Sequence, residues 1–166
     1  RDGAPLPENY KKFKVMVDAL LNIPGQKYVE HKMALTEDKR PCEFDAENYW
    51  VRGIADLLVV DKGTAFVIDY KTGSNKYPDT DQLALMALMV FAHFPEVIRV
   101  KAGLLFVAYN SFLPEEYVRD KSNSYWQRFV PSLTRLQVSF GTNNWPPNPT
   151  PLCKWCPVTS CNFHKV

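Results

Sequence analysis

Two apolar runs rich in β-branched residues, Gly53–Val60 and Ala65–Lys71, are separated by Asp61, Lys62, Gly63 and Thr64. This pattern predicts a β-hairpin with Lys62 and Gly63 as its two loop residues, the glycine supplying positive φ. Asp61 then faces Thr64. Counting outward from that pair, Asp56 falls opposite Asp69 on one face of the hairpin, because side chains alternate with period two.

Directly opposed Cβ atoms lie about 4.5 to 5.5 Å apart, and like charges so placed repel. Flanked by Ile54, Leu57, Leu58, Val67 and Ile68, two carboxylates there call for a cation between them. Lys71 lies two residues beyond Asp69 and points to the same face. Two acids and a lysine at a strand end suit metal-dependent phosphodiester hydrolysis. Oxygen ligands hold magnesium or manganese, and the metal activates water and neutralises phosphate charge. A lysine can position that water or stabilise the pentacovalent transition state. The same residues also fit a plain hairpin with one acid near its turn and one at a strand end. A one-residue slip of register would separate the acids.

At 166 residues, with 46% hydrophobic and 13% aromatic content, the chain is large enough for one folded domain with its own core. A net charge of +2 does not mark a nucleic-acid binder, so any DNA contact must come from local basic patches. No apolar run approaches the roughly eighteen residues of a membrane span, and no signal segment is visible. The expected location is the cytoplasm, or the host cytoplasm for a phage-encoded protein. The chain opens at Arg1 instead of methionine, which leaves room for residues upstream.

Residues 7–21 read as an amphipathic helix with Tyr10, Phe13, Val17, Leu20 and Leu21 on its apolar side. Gln26–Thr36 reads as a strand with Tyr28, Glu30 and Lys32 on one side and Val29, His31, Met33 and Leu35 on the other. Glu30 is either a third acid beside the hairpin or an exposed strand glutamate. A polar loop follows over 37–48. After another loop at 72–81, a helix starts at Asp79 or Thr80, runs to Phe94 and stops at Pro95. It is apolar nearly all round, as in a helix buried on a sheet. Its first turn, carrying Gln82, starts near the acid pair and presents its positive dipole end to an approaching phosphate. Residues 98–109 form another strand, and 114–140 read as helical with a kink at Pro131. The order predicts an α/β (α+β) domain with a mixed central sheet flanked by helices.

The expected boundaries are a catalytic domain over 1–142, then a proline-rich connector and cysteine-rich tail over 143–166. The tail carries Cys153-x2-Cys156-x4-Cys161-x2-His164, while Cys42 stands alone. Three thiolates and an imidazole can close a zinc site. Three cysteines can serve an iron–sulfur cluster if a fourth comes from elsewhere. A tail of free thiols is the remaining alternative.

Glu30, Gly53-x-x-Asp56, Ile68-Asp69-Tyr70-Lys71-Thr72-Gly73, and Gln82 eleven residues past the lysine together resemble the RecB-like branch of the PD-(D/E)XK nuclease superfamily. The resemblance covers roughly 26–109, and the tail is similar to that of CRISPR-associated and phage or bacterial recombination exonucleases. It implies a restriction-endonuclease-like core and a magnesium- or manganese-dependent exonuclease of recombination or repair acting on linear duplex or single-stranded DNA. It also implies a recombination or annealing partner protein. In that pattern Asp56, Asp69 and the Tyr70 backbone carbonyl hold metal, Lys71 is the catalytic lysine, Gln82 organises the site and Glu30 is an auxiliary acid. Two positions depart from it: no histidine precedes His31, and Met86 stands where an aromatic usually follows the glutamine.

Overall fold

A computed structural model describes residues 7–164. In chain order the elements are α1 (Lys14–Leu21), β1 (Gln26–Leu35), β2 (Pro41–Cys42), β3 (Val51–Asp61), β4 (Thr64–Lys71), α2 (Asp81–His93), β5 (Arg99–Phe106), β6 (Ser111–Val118), α3 (Ser122–Gln127) and α4 (Val130–Thr142). One six-stranded sheet has the order β2-β1-β3-β4-β5-β6. Only β4 and β5 run parallel, the one neighbouring pair joined by a helical crossover, as parallel pairing requires. The result is the mixed sheet with flanking helices that the residue pattern predicts.

The hairpin register is the expected one, running from Asp61 opposite Thr64 to Leu57 opposite Ile68. Positive φ falls on Lys62, at 54°, and not on Gly63. Gly63 instead turns its carbonyl to the start of β5, accepting the Ile98 and Arg99 N–H groups at 2.8 and 3.1 Å. Leu57, Val59, Ile68 and Leu105 bury together under Met16, Leu20, Ile23 and Phe66, so α1 covers that face of the hairpin. Helix α2 packs on the sheet as well, with Leu83, Ala84, Ala87, Leu88, Met89, Val90 and Phe91 buried. Fully burying one such Leu, Val or Phe side chain contributes about 1.5 to 3 kcal/mol.

Strand β1 does not keep the strict alternation expected of it. Glu30 takes φ of 51° and is skipped in the ladder, between Val29 opposite Leu57 and His31 opposite Ala55. The kink brings Tyr28 and His31, three residues apart, onto one side: their rings lie 4.8 Å apart and meet Phe94 at 5.6 and 5.9 Å. Next to them His93 Nε2 lies 2.9 Å from the Ala34 carbonyl. A carbonyl can only accept, so Nε2 carries the proton and donates.

The largest departure from the sequence pattern lies between residues 111 and 118, where 114–118 form strand β6 and not the start of a helix. Asn110 turns the chain in the left-handed conformation, φ 47°, and β6 returns antiparallel along β5 with Pro114 opposite Gly103. A proline is tolerated because β6 is an edge strand. Gly103 is required there because the Phe112 ring occupies the space its Cβ would need. Pro131 lies in the first turn of α4, where a missing N–H costs nothing, so it starts a helix and does not kink one. Residues 8–13, expected to be helical, form a 3-10 turn ahead of α1.

The chain divides into two compact units, Arg1–Arg128 and Phe129–Val166. The first holds the sheet. Within the second, Phe140 at the end of α4 packs edge-on against Trp145 at 4.8 Å, and Pro151–Trp155 form a 3-10 turn.

Two outcomes follow from the strained and titrating positions. Gly25 has φ of 122°, and an added methyl would sit 2.4 Å from the Val60 carbonyl oxygen; Gly25→Ala should therefore lose about 1 to 3 kcal/mol in urea unfolding. Burial, with the neighbouring His93, holds the His31 imidazole below its ordinary value of 6.5. A base so shifted favours folding while neutral, and that contribution is lost as pH falls below 6.5 toward the folded value. The urea midpoint should fall more steeply between pH 7 and 5.5 in the parent than in His31→Phe.

Candidate active site

The hairpin's two strands part at the pair Leu57 and Ile68. One step further, the Tyr70 N–H donates not to a strand carbonyl but to Asp56 Oδ2, at 2.8 Å. A carboxylate thus takes a backbone acceptor's place, which fixes the Asp56 side chain between the strands. Asp56 and Asp69 line one cavity of about 240 Å³, with Arg52, Gln82 and Met86 among the other walls. The Tyr70 hydroxyl is shifted up, first by burial and then by the negative charge of Asp56, so it stays protonated at neutral pH.

Lys71 sits at the end of β4, two residues on from Asp69. Its Nζ lies 2.8 Å from Asp69 Oδ2 and donates to Gln82 Oε1 at 3.0 Å. Gln82 in turn donates from Nε2 to the Asp79 carbonyl at 3.3 Å, so both ends of its amide are used and its orientation is fixed. The first turn of α2 is thereby tied to β4. The Asp79 carboxylate accepts the Asp81 N–H at 2.9 Å, so part of the helix's positive end is met by the chain's own acid. On the far side of Lys71 a second cavity, of about 220 Å³, is lined by Ser74, Tyr77, Asp79 and Phe106, with Gln82 again shared.

Asp69 Oδ2 is buried and accepts no well-directed hydrogen bond. The ammonium of Lys71 is close enough to attract it but is not aimed at it, so the ion pair supplies charge without satisfying the lone pairs. A dication between Asp56 and Asp69 would satisfy them. Among the described residues no three His, Cys, Asp or Glu side chains gather tightly enough to hold a metal. Two carboxylates suffice for magnesium, which is usually held by one or two acids together with water and substrate phosphates. Glu30 is exposed and does not line the cavity; it lies across the strand pair at the level of Asp56.

Arg52, which no motif in the sequence marks, lines the same cavity as the acids. Its guanidinium packs over the Tyr49 and Phe44 rings, with centroids at 4.3 and 5.0 Å. Its one sequence signal is its place beside Gly53, two positions before Ile54 and four before Asp56.

The tail gives no support to a zinc or iron–sulfur centre. Cys153, Cys156 and Cys161, like Cys42, are free thiols, and with His164 they do not form a ligand set. The Thr150 N–H donates to Cys153 Sγ, while Cys153–Cys156 and Cys161–His164 each close a separate turn.

Among solved structures the chain is similar to that titled "Crystal structure of SSO0001", at 13% identity and a TM-score of 0.42. The alignment covers 87% of this chain and 64% of that one, so the chain spans just under two thirds of that protein's length. No curated protein matches the chain. Among family profiles, that of the PD-(D/E)XK nuclease superfamily matches residues 10–161. With both acids, the lysine and the glutamine inside a match that leaves out only the two ends, the chain belongs to the PD-(D/E)XK nuclease superfamily.

Proposed function

We propose that this chain is a magnesium- or manganese-dependent deoxyribonuclease of the RecB-like branch that degrades linear DNA as an exonuclease in recombination or repair. The observation that carries the reading is the buried Asp69 oxygen without a directed hydrogen bond, in a cavity shared with Asp56 and beside the Lys71 ammonium.

Asp56 and Asp69 would hold the metal, with the Tyr70 backbone carbonyl as a further donor and Glu30 as an auxiliary acid at a distance. When bound, magnesium or manganese supplies an activated water nucleophile and charge neutralisation at the phosphate. The rest falls to the chain. Lys71 brings a fixed positive charge to the phosphorus being attacked, where negative charge grows in the transition state. Gln82 keeps that ammonium from folding wholly onto Asp69 by accepting a hydrogen bond from it. Asp56 is held in place by the Tyr70 N–H, so little reorganisation is needed. Water attacks phosphorus and gives up a proton to solvent, the bond to the leaving 3′- or 5′-oxygen breaks, that oxygen takes a proton from solvent, and no covalent enzyme intermediate forms.

Removing one such stabilising group typically costs about 10²- to 10³-fold in rate. Lys71→Ala should show at least that loss on linear DNA with magnesium, with a cooperative thermal melt showing that the variant is still folded. Equal rates for the two proteins would refute the assignment. Excess EDTA should abolish parent cleavage and added manganese restore it, followed by release of nucleotides from linear but not covalently closed circular DNA. Cleavage of closed circles would make the enzyme an endonuclease.

A further inference from the structure

Outside the acid pair, two cations converge on one aromatic ring. From β1, Lys32 Nζ lies 5.1 Å from the Phe44 centroid, and from β3 the Arg52 guanidinium lies 5.0 Å from the same centroid. Lys32 is opposite Ile54 and Ala34 opposite Arg52, so the two are diagonal neighbours on one face of the strand pair. The nearest acid to either is Asp45, 3.3 Å from Arg52. Both partners of that pair are well exposed, and surface pairs of this kind contribute little. Two cations set on one ring make a local positive patch that an anionic partner would match.

We propose that Lys32 and Arg52, ordered by Phe44 and Tyr49, bind the phosphate backbone of a nucleic-acid strand whose neighbouring segment lies in the Asp56–Asp69 cavity. This rests on the nuclease reading. Arg52 lines that cavity but stands four residues before Asp56, about 13 Å along a strand at roughly 3.3 Å per residue. It therefore contacts a phosphate other than the one being cut. One nitrogen of the guanidinium donates to the Phe44 carbonyl and to Asp45 Oδ1, each at 3.3 Å, which leaves the other N–H groups for phosphate oxygens, and these bonds with the rings limit the entropy Arg52 loses on binding. Lys32 and Arg52 are thus binding and positioning residues: their loss should raise KM more than it lowers kcat.

The test is fluorescence anisotropy of a labelled single-stranded oligonucleotide in EDTA, across a salt series, with the parent, Lys32→Gln, Arg52→Gln and the double variant. Thermal melts check that each folds, and Arg52→Lys reports on charge without stacking. The double variant should bind at least ten-fold more weakly at low salt, with the slope of log affinity against log salt shallower by about 1.4, roughly 0.7 for each phosphate no longer neutralised. Arg52→Lys should fall between the parent and Arg52→Gln. A folded double variant that binds within two-fold of the parent, with unchanged slope, overturns the proposal, as does a parent that binds no oligonucleotide. A parent that binds through these residues yet cleaves nothing with magnesium overturns the nuclease reading and leaves the strand contact standing.

Discussion

The ladder between β3 and β4 gives out where a carboxylate replaces a carbonyl as the partner of a backbone N–H, and the candidate site is organised around that substitution. Asp56 accepts from Tyr70, so the strands stay linked while opening a cavity between them and α2. The hydrophobic pairs before it, down to Leu57 and Ile68, hold the register that makes this possible. A slip by one residue would turn Leu57 or Ile68 outward and lose about 1.5 to 3 kcal/mol for each side chain unburied. The positions of the acids are thereby fixed by the core.

Electrostatics then separate the roles of the polar groups. Asp56 has a hydrogen bond and a fixed place. Asp69 has only a nearby positive charge, badly directed. Lys71 is divided between Asp69 and Gln82, and Gln82 is anchored by the Asp79 carbonyl ahead of α2. No charged residue is buried as a whole among the described residues, so the site keeps contact with water.

The hairpin, the register and the crossover helix were legible in the sequence because each rests on a strong local rule: alternation, a two-residue turn, and an apolar run ended by proline. What was not legible came from tertiary context overriding those rules. Glu30 breaks the alternation of β1 with a positive φ that no residue pattern announces for a glutamate, and so Tyr28 and His31 share a side. Lys62, and not Gly63, takes the left-handed conformation, while the Gly63 carbonyl accepts from the start of β5. Residues 114–118 belong to a strand because β5 offers an edge and Phe112 needs the space above Gly103. In the candidate site, Asp56, Asp69, Lys71 and Gln82 could be read from spacing, whereas Arg52 could not: its place in the cavity wall comes with its packing on Phe44 and Tyr49, which a loop brings back to it.

The chemistry proposed for this site stands or falls on Asp56 and Asp69 sharing one divalent ion. A crystal soaked in manganese tests it directly through the anomalous signal. A peak is expected in the cavity, contacting oxygens of both carboxylates, with Lys71 still beside Asp69. Full manganese exposure with no peak there, or a peak bound by one aspartate while the other turns away, would contradict it.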